Sequence, residues 1–243
     1  MPVRTFPLRR YLALLLQKTS MWSAYMLSQW GVVRAISVTD TNTMSQEASS
    51  LRSQWAWSVP TAEALAAIAR HSPLIEIGAG NGHWAALLRA RGADVLAYDE
   101  PCWAAAYAAG AAGGAEATPA GTPLMGEREA GVLAGGPEQA AGHAGRALML
   151  AWPDYAGRGS YGTQCLAAYT GDTLVLLGEW TGRTLGAYAD GLGEHGQSFS
   201  IEFQRRVEAD WVLVEQMRLP SWPYFVDSLH VWKRRATAGV DVD

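Results

Sequence analysis

The stretch "LIEIGAGNGHWAALLRARGADVLAYDE", Leu74 to Glu100, carries three glycines at alternate positions, Gly78, Gly80 and Gly82. Before them, Leu74 to Ile77 is a short, mostly apolar run behind Pro73 and reads as a buried strand. After them, Trp84, Leu87, Leu88 and Arg91 recur at helical spacing, and Gly92 is placed to end that helix in a left-handed conformation. Val95 to Tyr98 makes a second strand, ending on Asp99. The unit is strand, helix, strand with a glycine-rich first turn, an arrangement that holds a ligand at a helix N-terminus beyond the carboxyl ends of parallel strands.

Two cofactor classes use such a unit. The dinucleotide fingerprint G-x-G-x-x-G needs a glycine where this chain has His83; the pattern here is G-x-G-x-G. Each glycine removes a side chain where the backbone must turn sharply or approach a ligand closely. An acid about 20 residues beyond the first glycine suits a grip on ribose hydroxyls, and Asp99 lies 21 residues after Gly78. Spacing and acid leave both classes open.

"EIGAGNGHWAALL" followed by "VLAYDE" resembles the first two motifs of the class I S-adenosylmethionine-dependent methyltransferases. The resemblance implies S-adenosylmethionine as cofactor. It also implies that Gly78, Gly80 and Gly82 pass under its methionine part, that Asp99 holds its ribose, and that Glu76 orients the loop or the cofactor's amino group. The fold it implies is α/β and Rossmann-like: a mostly parallel seven-stranded sheet with a C-terminal antiparallel hairpin and helices on both faces.

The rest of the chain can be laid out in that order. Thr61 is a candidate N-cap for an alanine-rich helix ending near Arg70, preceded by Trp55 and Trp57, which either close over the cofactor, as the resemblance implies, or fill core. Residues 104 to 145 are dominated by alanine and glycine and have little to bury; a strand near Val132 and Leu133 and a helix from Pro137 to His143 are the candidates within them. Ala147 to Ala151 suits a central parallel strand, Tyr161 to Tyr169 a helix, Asp172 to Trp180 a strand, and Phe199 to Glu208 a helix. Trp211 to Leu219 and Leu229 to Lys233, joined by the short "PSWPYFVDS", should pair antiparallel.

"WPDY" ends the fourth-strand candidate and resembles the [DNS]-P-P-[YFW] loop of amino-methylating members of the family, with Trp152 in the polar position and Asp154 replacing the second proline. Trp152, Asp154 and Tyr155 are therefore the candidate acceptor-site residues, Asp154 as the group that orients or deprotonates the nucleophile. The two departures count against a nucleic-acid base as acceptor. His83, Glu179 and Trp180 are weaker site candidates.

Composition bounds the partners. The 243 residues are 49% apolar with a net charge of -4, enough for a sizeable core and no reason for a polyanion partner, so nucleic acid is disfavoured. Cys102 and Cys165 stand apart from any zinc-ligand spacing, and no metal is expected. Arg4, Arg9, Arg10, Lys18 and Arg34 precede the first acid, Asp40, so residues 1–50 read as an N-terminal extension or a transit-type segment, 51–236 as the methyltransferase-like domain and 237–243 as a tail. No run of 18 apolar residues supports a membrane span. The expected setting is cytoplasmic, or an organelle if the start is a transit peptide. The expected activity is methyl transfer to nitrogen or oxygen of a small-molecule or peptide acceptor; an NAD(P)-dependent oxidoreductase and a non-catalytic scaffold are the rivals.

Overall fold

The computed structural model describes residues 56–100, 131–154, 157–181, 198–222 and 225–236. Trp55, Cys102, Tyr155 and most of the alanine- and glycine-rich segment lie outside them.

Helix α1 is Ala62–Ala69, and the Thr61 hydroxyl caps it by accepting the Ala64 amide at 3.1 Å. Strand β1 (Leu74–Ile77), helix α2 (His83–Arg89) and strand β2 (Val95–Asp99) come next, as the opening motif predicts, with Gly92 at φ +85° beyond α2. The alanine-rich region does yield a third strand, β3 (Val132–Ala134), but the segment beyond it, Pro137–Gly142, forms a 3₁₀ turn rather than an α-helix. Then come β4 (Ala147–Ala151), α3 (Tyr161–Ala168), β5 (Thr173–Gly178), α4 (Ile201–Asp210), β6 (Trp211–Arg218) and β7 (Ser228–Arg234).

The seven strands form one sheet in the order β3-β2-β1-β4-β5-β7-β6. The first five run parallel, whereas β7 is antiparallel to both β5 and β6. Parallel strands need crossovers that cover both faces, and each central strand is accordingly buried along nearly its whole length. Alternate side chains separate into two cores. Leu74, Val95, Met149 and Val175 pack under α1 and α2, while Ile75, Leu148, Leu150 and Leu176 pack under α3, α4 and the 3₁₀ turn. The second core is rich in aromatics: Trp180, Phe199, Phe203, Trp211 and Trp232 all belong to it. The fold is the Rossmann-like one that the resemblance implies.

The sheet closes on Arg234 and Trp211. The guanidinium carbon of Arg234 lies 4.3 Å from the centre of the Trp211 ring, and its N–H groups donate to the Gly171 and Tyr169 carbonyls. β6 is the outer strand and exposes Val212, Leu213 and Val214, with a register shift between Leu213 and Glu215. Among the described residues no helix is long and apolar enough to cross a membrane.

Leu148→Ala empties a fully buried position of a central strand and should cost about 2–5 kcal/mol in a urea titration. Val214→Ser on the outer strand should change stability by less than about 0.5 kcal/mol in the same titration.

Candidate functional site

The chain runs from β1 outward to β3 and then crosses back to β4 on the other side of β1, so the strand order reverses between β1 and β4. A crevice opens beyond the carboxyl ends of strands at such a point. Here it is a cavity of about 500 Å³, lined among others by Gly78, Gly80, Asp99, Trp152, Asp154 and Tyr161. The turn after β1, the acid at the end of β2 and the loop after β4 therefore meet in one place.

Gly78, Gly80 and Gly82 have φ of +76°, +57° and +74°, in the left-handed region that favours glycine. Gly80 shows why the spacing matters. A Cβ there would meet nothing within 4 Å, so the residue's requirement is its backbone angle and the open space above it. Gly78 is tighter, since a Cβ would stand 3.3 Å from the ring edge of Tyr161.

Asp99 ties the loop to β2. One carboxylate oxygen accepts the Gly80 amide and the other accepts the Glu100 amide at 2.7 Å. Burial pushes its carboxyl up to about 6, against the pull of those two amides. Each carboxylate oxygen has two lone pairs, so acceptor capacity remains for ligand hydroxyls while the group is ionised.

Glu76 sits in β1 beneath the loop, fully buried, and Oε2 has no hydrogen-bond partner among the described residues. Burial pushes it up to about 8; Arg89 pulls it down, the Asp99 charge pushes it further up, and the Ala85 backbone pulls it down. At neutral pH the side chain is thus a protonated acid in a mostly apolar layer. His83 begins α2, is buried, and is held neutral by burial, which lowers it to about 4. It is not among the residues that line the cavity.

The loop after β4 brings Trp152 and Asp154 to the cavity. Trp152 has φ +54°, an outlier for a bulky side chain, and its amide still reaches the Leu177 carbonyl at 3.0 Å. Its indole N–H donates to Asp227 at 3.1 Å, and its ring packs against Trp57 at 5.2 Å and edge-on against Phe225 at 5.0 Å. Asp227 was not apparent from sequence, being 75 residues away with no motif around it. Trp57 therefore belongs to the cavity wall, joining the loop before α1 to the loop after β4.

Asp154 is 2% exposed. Oδ1 accepts the amides of Tyr161 and Gly162 at 3.0 and 3.3 Å, and Oδ2 accepts the Ser200 amide at 3.2 Å. The carboxylate thus sits at the N-termini of α3 and α4 at once, where helix ends leave amides unpaired and favour negative charge. Trp180 turns away into the aromatic core, against Phe199 and Trp232, and its N–H donates to Glu208. Glu179 is buried and accepts the Val226 amide at 2.7 Å. Neither residue lines the cavity. Among the described residues no cluster of three or more His, Cys, Asp or Glu could hold a metal.

Several solved structures are similar to this chain. The 1,6-didemethyltoxoflavin-N1-methyltransferase of Burkholderia thailandensis, with 1,6-didemethyltoxoflavin and S-adenosylhomocysteine bound, is similar over 84% of this chain and 93% of its own, at 17% identity and a TM-score of 0.45. The magnesium protoporphyrin IX methyltransferase of Synechocystis PCC 6803, with S-adenosylhomocysteine bound, is similar over 90% and 100%, at 12% identity and a TM-score of 0.40. The mitomycin 7-O-methyltransferase MmcR is similar over 82% of this chain but 54% of its own, at 14% identity and a TM-score of 0.42. No protein-family model matches the sequence, and no curated protein does.

The buried carboxyls have two measurable consequences. Between its ordinary 4.5 and about 8, Glu76 is ionised in the unfolded chain and protonated in the folded one, so its contribution to stability falls as pH rises through that window. From pH 5 to pH 8 the urea midpoint should therefore fall less for Glu76→Gln, which cannot ionise, than for the wild type. Asp154→Asn puts N–H groups against amide donors and should lower stability by about 1–3 kcal/mol at neutral pH, measured the same way.

Proposed function

We propose that the chain is an S-adenosylmethionine-dependent methyltransferase that acts on nitrogen or oxygen of a small-molecule or peptide acceptor. The observation that carries this is the convergence of two of the left-handed glycines, Gly78 and Gly80, with the Asp99 carboxylate and the loop after β4 on one cavity at the point where the strand order reverses; Gly82 completes the turn without lining the cavity. The open space over Gly80 is the cradle that a side chain would fill, and the spare lone pairs of Asp99 suit the two ribose hydroxyls. The known structures of like layout include methyltransferases with S-adenosylhomocysteine bound, in keeping with the reading without carrying it.

When bound, S-adenosylmethionine supplies a methyl group on a sulfonium, open to in-line attack. In this reading Gly78, Gly80 and Gly82 hold its methionine part, Asp99 its ribose, and Glu76 supports the loop from beneath or meets the amino group. A displacement of this kind asks mainly for alignment and exclusion of water. Trp152, packed between Trp57 and Phe225 with its N–H committed to Asp227, suits an apolar wall rather than a hydrogen-bonding group. Asp154, with both oxygens occupied by amides, suits orientation of the loop better than removal of a proton. Tyr155, beyond the described residues, keeps its assignment to the acceptor pocket from sequence alone. In this reading the acceptor is aligned by the wall, and its proton leaves to solvent or to a group on the acceptor itself.

The same commitment of Trp152 and Asp154 is what favours the second reading, a cofactor-binding scaffold without turnover. Transfer of labelled methyl to any member of a panel of amines and hydroxylated small molecules would rule that reading out.

The first test is calorimetric titration with S-adenosylmethionine and S-adenosylhomocysteine, with NADH as control. The expected result is micromolar binding of both sulfur compounds and none of NADH. Asp99→Asn should weaken it by roughly 10- to 100-fold, the worth of a hydrogen bond to a charged group. Wild-type affinity should also fall as pH drops below about 6, where Asp99 gains its proton. Binding of NADH in place of the sulfur compounds would turn the assignment to an oxidoreductase.

A further inference from the structure

Tyr161 is the first residue of α3, and a tyrosine at a helix start carries no sequence motif. Its ring edge lies against Gly78, the first residue of the glycine turn, and the residue lines the cavity. Its hydroxyl is buried and has no hydrogen-bond partner among the described residues. An orphaned buried hydroxyl costs free energy in the ligand-free protein, so its retention at a cavity wall points to a partner that arrives with a ligand.

The surroundings narrow which part of the ligand that would be. Burial holds the phenol well above its ordinary range, and Cys165, Asp99, Glu100 and Glu138 push the same way. Asp99 and Glu100 stand at the end of β2 and Glu138 on the 3₁₀ turn after β3. The hydroxyl therefore stays a donor at any working pH, in a cavity that Asp99 also lines. Its neighbour Asp99 is the residue assigned to the ribose.

Resting on that assignment, we infer that Tyr161 is a cofactor-contacting residue, whose hydroxyl donates a hydrogen bond to an oxygen or nitrogen of the adenosyl half. The ring meanwhile holds α3 against Gly78, so one side chain packs the glycine turn from below and reads the ligand above it. Asp154 fixes the same start of α3, since it accepts the Tyr161 amide.

Tyr161→Phe keeps the ring and deletes only the hydroxyl. Three quantities test it: the melting temperature without ligand, and the dissociation constants of S-adenosylhomocysteine and of 5′-methylthioadenosine, which lacks the amino-acid end. The expected result is an unchanged or raised melting temperature, because an unpaired group has been removed, with both ligands weakened by the same factor of about 3 to 10. A loss confined to S-adenosylhomocysteine would move the contact to the methionine half and overturn the inference. Unchanged affinities would overturn it as well, and so would a lowered melting temperature, which would make the hydroxyl part of the fold. Failure of the wild type to bind either compound would instead sink the cofactor assignment itself, whatever the variant does.

Discussion

The Asp154 carboxylate accepts the amides of Tyr161 and Gly162 at the start of α3 and of Ser200 at the start of α4, while its own amide donates to the Ser198 carbonyl. Two helix N-termini, each with unpaired donors and a partial positive charge, are thereby drawn to one buried anion. Without it those amides would be buried against an apolar layer with nothing to accept them. The wall of the crevice depends on this junction. The α3 end fixes Tyr161 against Gly78, and the loop that carries Asp154 also carries Trp152, whose strained φ is held by the Leu177 carbonyl on one side and Asp227 on the other.

Across the crevice a second carboxylate plays a similar part with a different margin. Asp99 commits one lone pair of each oxygen to the backbone of Gly80 and Glu100 and keeps the others. The contrast between the two acids separates structure from chemistry. Asp154 lines the cavity with its two oxygens taken up by three backbone amides, whereas Asp99 is a loop anchor with capacity left for a ligand. Glu76 is a third buried acid, kept protonated near neutral pH by its apolar surroundings. With Glu179, which accepts the Val226 amide, and Asp227, which accepts the Trp152 N–H, five buried carboxyl groups stand at one end of the sheet, a heavy desolvation load tolerated because each is paired or neutral.

The aromatic residues divide along the sheet in the same way. Trp57, Trp152 and Phe225 gather at the carboxyl ends of the strands, where a ligand would meet them. Trp180, Phe199, Phe203 and Trp232 fill the layer beneath α4. Trp152 and Trp180 both end a parallel strand in sequence, yet one faces the cavity and the other the core. β4 is followed by Trp152 at φ +54°, which turns the chain, whereas β5 ends on Gly178, where a Cβ would stand 2.4 Å from the Ser198 side chain.

What the sequence determined by itself is what depends on neighbours in the chain. The alternation of Leu74 to Ile77, the glycine spacing, the Thr61 cap and the apolar runs of β4 and β5 are local signals, and the helices and strands they predict are present to within a few residues at each end. The glycine turn was legible because left-handed backbone excludes most side chains whatever surrounds it. Tertiary structure alone decided the partners of the polar groups. Asp154 read as the group that orients or deprotonates the nucleophile, and the structure adds that its oxygens meet amides 7, 8 and 46 residues away. The anchoring of Trp152 by Asp227 and the seat of Tyr161 against Gly78 arise likewise from packing between distant segments. A carboxylate's role is set by which donors the fold brings within hydrogen-bonding reach of it, and sequence spacing carries no record of donors that arrive from another strand.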